Sequence, residues 1–381
     1  MISYKNQPYP KANFIKILQV GRGSTSKVFC AYNKQSEKYH AIKKYDLNSL
    51  NEDIMVRLRR EVEILHMCNH PAIIHMFDYG IPQNDNPPWI ELEYMPIDLL
   101  HLIKEKKLGD VDAYKILYGL ASAMKYLHDR EIIHRDVNPF NIMIDHQCLP
   151  HLSDFGTARK IEPEMESRPQ TISYAAPEIL NGVQYDEKVD VYSFGLTLYY
   201  IIEKKDPFKN LSQYEITKRK NQGKCPLINQ NNCLFNIMKK CVEFNPSHRC
   251  DFNDIIQEIS NCANKILNQD DLKEFQDYQN SCLNFDTDSV FVDKFSTFES
   301  IYYNAETYKK AICVLGMAYW NVLDDSATAK EILENSANEG NSHAARIVCD
   351  LYEKGLFNEL ASDVYEEFCG NYEFSDEEED E

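Results

Sequence analysis

Alternation of apolar and polar residues dominates the first part of the chain. Phe14-Ile-Lys-Ile-Leu-Gln-Val20, Val28 to Tyr32 and Tyr39 to Tyr45 follow the two-residue period of a half-buried strand, separated by glycines at 21 and 23 and by a polar turn at Asn33 to Lys38. Three antiparallel strands are predicted. Over residues 51–68 the period lengthens, placing Ile54, Leu58, Val62 and Leu65 on one helical face that stops near Asn69-His70-Pro71. Two further strands, near Ile73 to Tyr79 and Trp89 to Tyr94, flank a loop of Pro, Asn and Asp. Beyond Met95 helical spacing takes over. Ala113, Leu117, Leu120, Ala121, Met124 and Leu127 share a face, and helices are predicted over 186–203, 234–242 and 252–266. The expectation is a small sheet with one helix, followed by a mainly helical lobe.

Residues 263–300, rich in Asn, Gln, Asp and Ser with scattered aromatics, read as a linker partly packed on its neighbours. Over 301–360 a weak echo appears, Ala311, Leu315 and Tyr319 recurring 33 residues later as Ala344, Val348 and Tyr352. Helical hairpins are predicted there, with Ile312, Leu315, Ile332, Leu333, Val348 and Leu351 packing together and partly onto the preceding lobe or the linker. Residues 371–381 end in a like-charge acidic run that is expected to be solvated and disordered.

Charge sharpens this division. The net charge is −19 over 381 residues, but residues 270–381 hold 27 acids and 7 bases (net −20), against 33 acids and 34 bases (net +1) before them. A neutral front and an acidic rear argue against nucleic acid or anionic membrane as partner and favour basic proteins. Twelve cysteines contain no C-x-x-C, and Cys225, Cys233, Cys241 and Cys250 lie eight or nine residues apart, so neither zinc nor disulfides are expected. A reduced interior uses Cys as a small apolar residue. The first residues, with Lys5, Pro8, Pro10 and Lys11, lack the apolar run of a secretory signal, and Val191 to Ile202 is too short to span a bilayer. A soluble cytoplasmic protein is expected.

Candidate chemistry lies between residues 21 and 178. In Gly21-Arg-Gly23-Ser-Thr-Ser26-Lys-Val28 the glycines let backbone N–H groups approach phosphate oxygens. A dinucleotide fingerprint would need a helix after them, and a strand follows instead. Ala41-Ile-Lys43 puts a lysine on the third strand, and Glu61 sits on the next helix. His134-Arg-Asp136-Val-Asn-Pro-Phe-Asn141, Asp154-Phe-Gly156 and Ala176-Pro-Glu178 then come in the order phosphoryl transfer requires. Such transfer rests on positioning and charge neutralisation. Asp154 and Asn141 offer hard oxygen donors to a hard cation, while Asp136 offers a carboxylate to orient a hydroxyl and accept its proton. His134 reads as a packed, hydrogen-bonded core residue.

In these motifs and their order, residues 14–262 resemble the eukaryotic protein kinase family. The resemblance implies an α+β, bilobal fold, with a β-rich N-lobe and a helical C-lobe, followed by a small α-helical segment. ATP would be clamped between the lobes. Val20, Gly21 and Gly23 would cover it, Val28, Ala41 and Met143 would sandwich the adenine, and Leu92 resembles the gatekeeper ahead of a Glu93 to Met95 hinge. Lys43 would grip the phosphates with Glu61 holding it, Asn141 and Asp154 would bind Mg, and Asp136 would act as base. Glu178 and Arg249 resemble the ion pair that ties the activation segment to the helical lobe, and Asp190 resembles the anchor beneath the catalytic loop. Thr171 matches the threonine that bonds the catalytic Asp in Ser/Thr enzymes. Ser167 is the expected phosphorylation switch, paired with Arg135; the plainer reading is that Arg135 braces the loop.

Two positions depart from the family pattern. Ser26 replaces the third glycine, and Asn138 stands where a lysine usually meets the γ-phosphate, so reduced activity is expected from a missing charge on the order of a few kcal/mol. The 301–360 segment resembles Sel-one-type relatives of tetratricopeptide repeats, which implies a docking surface for a protein partner. Ser375, before an acidic run, resembles a target of acidophilic kinases. The expected function is an ATP- and Mg-dependent Ser/Thr kinase acting on protein substrates. The competing reading is a nucleotide-binding pseudokinase or scaffold.

Overall fold

The computed structural model describes residues 13–23, 25–47, 50–81, 87–105, 108–161, 171–285, 309–354 and 356–357. Strands β1 (Phe14–Arg22), β2 (Ser26–Asn33) and β3 (Lys38–Tyr45) lead to α1 (Glu52–Met67), β4 (Met76–Gly80) and β5 (Trp89–Glu93). Short strands β6 (Ile97–Asp98), β7 (Ile132–Ile133), β8 (Ile142–Ile144), β9 (Pro150–Leu152) and β10 (Arg159–Lys160) are set among helices α2 (Leu99–Glu105) and α3 (Asp110–His128). Then come α4 (Pro177–Leu180), α5 (Lys188–Glu203), α6 (Gln213–Asn221), α7 (Phe235–Cys241), α8 (Phe252–Ile266), α9 (Gln269–Leu283), α10 (Lys309–Asn321), α11 (Ser326–Asn338) and α12 (Ser342–Glu353). The expected α+β class is met. No helix among the described residues is long and apolar enough to cross a membrane.

The chain divides into two compact units, one drawn from residues 6–47, 82–96 and 293–381, the other from 1–5, 48–81 and 97–292. In the first, β1, β2, β3 and β5 pair antiparallel in that order. Val28 lies opposite Lys43 and Lys43 opposite Ile90, while Cys30 faces Ala41 and Ala41 faces Leu92. Opposed residues share a face and successive ones alternate, so these six line one side of the sheet. Phe14, Ala31, Ile42 and Trp89 form a core cluster from the other set of positions.

Helices α10 to α12 belong to this same unit. Gly316 gives α10 its close approach to α11, because an added Cβ would come within 2.7 Å of Leu333 Cγ. The repeat echo is mirrored in burial, Ala311 and Leu315 being as enclosed as Ala344 and Val348. Leu333, Val348 and Leu351 cluster as expected and are joined by Phe357, whereas Leu315 is buried outside that cluster and Ile312 and Ile332 are half-buried outside it. A second cluster of Cys313, Ala337, Ala344, Ala345 and Cys349 takes in Leu18 of β1, so the helices dock on the first strand. Cys349 is disulfide-bonded, contrary to the fully reduced interior expected. Ser167, Ser375 and the acidic run at 371–381 lie outside the described residues.

The second unit is mainly helical. Asn51 caps α1, its Oδ1 accepting from Ile54 N–H at 2.9 Å, and Ile54, Leu58, Val62 and Leu65 are buried as their spacing predicts. Helix α9 occupies part of the stretch read as a linker. Its Phe275, Tyr278 and Cys282 recur three to four residues apart and are buried. Phe275 meets Tyr118 of α3 edge-on at 5.5 Å, and Lys115 Nζ lies 2.5 Å from Glu274 Oε1. Gly119 of α3 makes room: a Cβ there would run into the Tyr278 hydroxyl and stand 2.7 Å from Pro150 Cγ. Gly119→Ala is therefore expected to cost about 1–3 kcal/mol by overpacking, outweighing the ~1 kcal/mol that alanine gains over glycine in a helix. Thermal denaturation checks this, and an unchanged midpoint would mean that α9 does not pack here.

Candidate active site

Asp190, fully buried in the first turn of α5, supports the loop after β7. Its carboxylate accepts from the backbone N–H of His134 at 2.8 Å and of Arg135 at 2.7 Å, and from His128 Nε2 at 3.0 Å. These bonds hold Arg135 at φ 71°, a left-handed conformation that a non-glycine residue keeps only when its surroundings over-determine it. His134 is buried as expected. Its Nε2 lies 3.1 Å from the Ser153 carbonyl, its Nδ1 accepts from Asp136 N–H at 3.4 Å, and its ring meets Phe155 edge-on at 4.9 Å. Arg135 braces the loop: Nε donates to the Thr157 carbonyl at 2.6 Å, Nη2 donates to the same oxygen, and Nη1 donates to the Tyr185 hydroxyl at 2.9 Å.

Asp136 is the centre of the cluster. Its Oδ1 accepts from Asn138 Nδ2 at 2.9 Å and its Oδ2 from Asn141 Nδ2 at 2.8 Å. Both amides also donate to its backbone carbonyl, at 3.1 and 2.9 Å, and the Thr171 side chain hydrogen-bonds to the carboxylate. Burial lifts the Asp136 carboxyl above the usual carboxylate range; the Asp154 charge pushes the same way, against Thr171, His134 and Asn141. Asn138 is wholly committed locally, because its Oδ1 also caps the 3-10 turn Pro139–Asn141 by accepting from Phe140 N–H at 3.0 Å. Thr171, Asn138 and Asn141, the side chains bonded to this carboxylate, carry no charge, so Asp136 is oriented without being neutralised.

Asp154, at φ 57°, precedes the 3-10 turn Phe155–Thr157. A Cβ on Gly156 would lie 3.4 Å from Asp154 Oδ1 and 3.6 Å from Glu61 Oε2, so both carboxylates flank this glycine. Glu61, on α1, is buried. Asn141 spends its Nδ2 on Asp136, which leaves the carbonyl Oδ1 as its ligand-capable atom. No group of three or more His, Cys, Asp or Glu able to hold a metal occurs among the described residues. Asn141 Oδ1 and the Asp154 carboxylate are oxygen donors of the hard kind that divalent cations take.

Met143, on β8, lies in this helical unit with Glu61, Asp136, Asn138, Asn141 and Asp154. The remaining candidates lie in the sheet unit. Gly21 pairs with Val28, and Gly23 N–H donates to the Ser26 carbonyl at 2.8 Å, closing the hairpin. Lys43 is half-buried with Nζ 5.7 Å above the Tyr45 ring. Val20 is half-buried, while Ala41, Leu92, Glu93 and Met95 are buried.

Farther along, Arg249 Nη1 and Nη2 donate to Glu178 Oε1 and Oε2 at 2.5 and 3.0 Å, a buried bidentate pair. Sequence reasoning missed Lys220 and Ser193. Lys220 stands in the basic run Lys218-Arg-Lys220, which looks like a solvated face, yet it is fully buried.

Residues 14–259 match the family described as protein kinase domain. The chain is 31% identical over 265 residues to the serine/threonine-protein kinase VIK of Arabidopsis thaliana, covering 65% of this chain and 59% of that protein. It is 32% identical over 209 residues to an Aurora kinase of Debaryomyces hansenii, covering 52% and 50%. It is 30% identical over 286 residues to the dual specificity protein kinase pyk3 of Dictyostelium discoideum, covering 70% and 20%. The chain thus spans less than two thirds of the length of each of these relatives.

Proposed function

Because the chain belongs to the protein kinase family, we propose that it is a Mg-ATP-dependent kinase that transfers the γ-phosphoryl group to Ser or Thr hydroxyls of protein substrates. The carrying observation is the Asp136 carboxylate, buried yet ionisable and aimed by Asn138, Asn141 and Thr171. Asp136 accepts the proton of the incoming hydroxyl, and its neutral partners keep it a base. Asn141 Oδ1 and Asp154 would hold Mg²⁺, which supplies charge neutralisation at the transferring phosphoryl group. Lys43, with Glu61 as its expected counter-ion, would fix the nucleotide, and Val20, Gly21, Gly23, Val28, Ala41, Leu92, Glu93, Met95 and Met143 would enclose it. Ser/Thr preference is supported by the Thr171 bond to Asp136 and by relatives named serine/threonine kinases. Helices α10 to α12, as Sel-one-like repeats, would recruit a basic protein partner. Transfer of label from ATP to a basic protein tests this reading; equal incorporation by wild type and Asp136→Ala would leave a scaffold as the function.

Asn138 offers a second check. Asn138→Lys is expected to raise kcat about tenfold, since a cation beside Asp136 also approaches the phosphates and tenfold is only ~1.4 kcal/mol. The sign for pH follows. Asp136 works deprotonated and its pKa is raised, so wild-type kcat/KM should rise with pH along a limb lying above the ordinary carboxylate range. A neighbouring positive charge lowers that pKa and moves the limb to lower pH. A slower Asn138→Lys enzyme with an unmoved limb would contradict this.

A further inference from the structure

The stretch Ile172–Ala175, between Thr171 and the Ala176-Pro-Glu178 motif, is held from below by buried side chains. Lys220 Nζ, on α6, donates to the carbonyls of Ile172 at 2.9 Å, Ser173 at 2.8 Å and Ala175 at 2.7 Å. The remaining carbonyl, that of Tyr174, accepts from Ser193 Oγ of α5 at 3.0 Å. Four consecutive carbonyls are thus taken by two side chains. Within the same turn Tyr174 and Ala175 N–H donate to the Thr171 carbonyl at 3.3 and 3.1 Å, and the Thr171 side chain reaches Asp136.

Resting on the kinase reading, we propose that Lys220 is a positioning residue for phosphoryl transfer: its ammonium holds the 171–175 turn so that Thr171 orients Asp136 toward the protein hydroxyl, and loss of its proton releases that turn. An ammonium has three N–H donors for three carbonyls, whereas a neutral amine has two and leaves one buried carbonyl unpaired. The surroundings place this titration within reach. Burial lowers the Lys220 amine to about 7, because the groups around it offer little countercharge. Glu178 of α4 is engaged by Arg249, the Tyr192 hydroxyl of α5 lies 2.7 Å from Cys225 Sγ, and the Tyr192 and Phe208 rings stand 5.4 and 5.0 Å from Nζ. Burial raises the Cys225 thiol, and the pulls of Cys225 and Glu178 on the ammonium are smaller than the effect of burial. Lys218 and Arg219 on the same helix are exposed.

The test uses the full chain with Mg-ATP and a histidine-free basic protein substrate. At pH 6.5, Lys220→Met is expected to lower kcat/KM for the protein at least tenfold while KM for ATP stays within twofold. Lys220→Met in a Thr171→Ala background is expected to add no further loss, because the two act through one turn. The wild-type profile is expected to descend above pH ~7, and Lys220→Arg, whose guanidinium keeps its charge, is expected to lack that descent. A Lys220→Met kcat/KM within twofold of wild type overturns the proposal, as does a wild-type profile flat to pH 9; the latter also decides the matter if Lys220→Met does not fold. Should wild type prove no better than Asp136→Ala, the kinase reading fails separately. Amide exchange over 171–176 then decides, expected at least tenfold faster at pH 8.5 than at pH 6.5 beyond the intrinsic pH effect, with equal protection overturning the assignment.

Discussion

Asp136→Ala is expected to lower kcat for protein phosphorylation by about 10²–10⁴, the range over which a positioned base contributes. A thousandfold loss corresponds to ~4 kcal/mol of transition-state stabilisation. Alanine removes the carboxylate to which Asn138, Asn141 and Thr171 all turn, so the orientation of Asn141 suffers as well as the proton acceptor. KM for ATP should move only a few-fold, because Asp136 is not among the residues proposed to enclose the nucleotide. Asp136→Asn separates the two contributions: an amide keeps an oxygen for one donor but cannot take the proton, so kcat should be nearly as low. A steady-state assay in which Asp136→Asn retained more than a tenth of wild-type kcat would show that this carboxylate is not the base.

Removing Arg249 should give the largest loss of stability. All five of its N–H donors are engaged: two with Glu178, and the others with the carbonyls of Glu243 at 2.8 Å, Lys188 at 2.9 Å and Phe244 at 3.3 Å. Its guanidinium also lies 4.9 Å over the Tyr192 ring. Arg249→Met leaves a buried carboxylate without its cation and three carbonyls without a donor, for which about 3–5 kcal/mol is the expected penalty. For a unit of this size that is a fall of roughly 10 °C in melting temperature. Converting Glu178 to Gln in the same chain removes the stranded charge, so the double variant should melt above Arg249→Met alone. Calorimetry showing less than 2 °C for the single change would mean the pair is solvated.

The chemistry was more legible than the scaffolding around it. Asp136, Asn141 and Asp154 stand out because phosphoryl transfer constrains their residue type and spacing, and Asp190 and the Glu178–Arg249 pair follow from the same framework. Helices with a sustained apolar face, α1, α3, α5 and α8, lie close to where periodicity puts them. Helix α9 was hidden because its three buried positions sit among Asp, Gln and Asn, and only its partners on α3 give them meaning. Lys220 was hidden for the opposite reason. A lysine in a basic run carries no mark of burial, and its three acceptors come from a turn nearly fifty residues earlier in the chain. Leu18 likewise reads as one more alternating strand residue, since nothing local says that helices arriving some 300 residues later will cover it.

That coverage makes the acidic rear something other than an accessory. Leu18 shares its cluster with Cys313, Ala337, Ala344, Ala345 and Cys349, and the family match stops at residue 259. A clone trimmed at that margin would bare an oily patch on the strand leading into the Gly21-Arg-Gly23 hairpin, inviting clumping and a loosened grip on nucleotide. Silence from such a fragment would therefore say nothing about recruitment, because the cut itself wounds the part left behind.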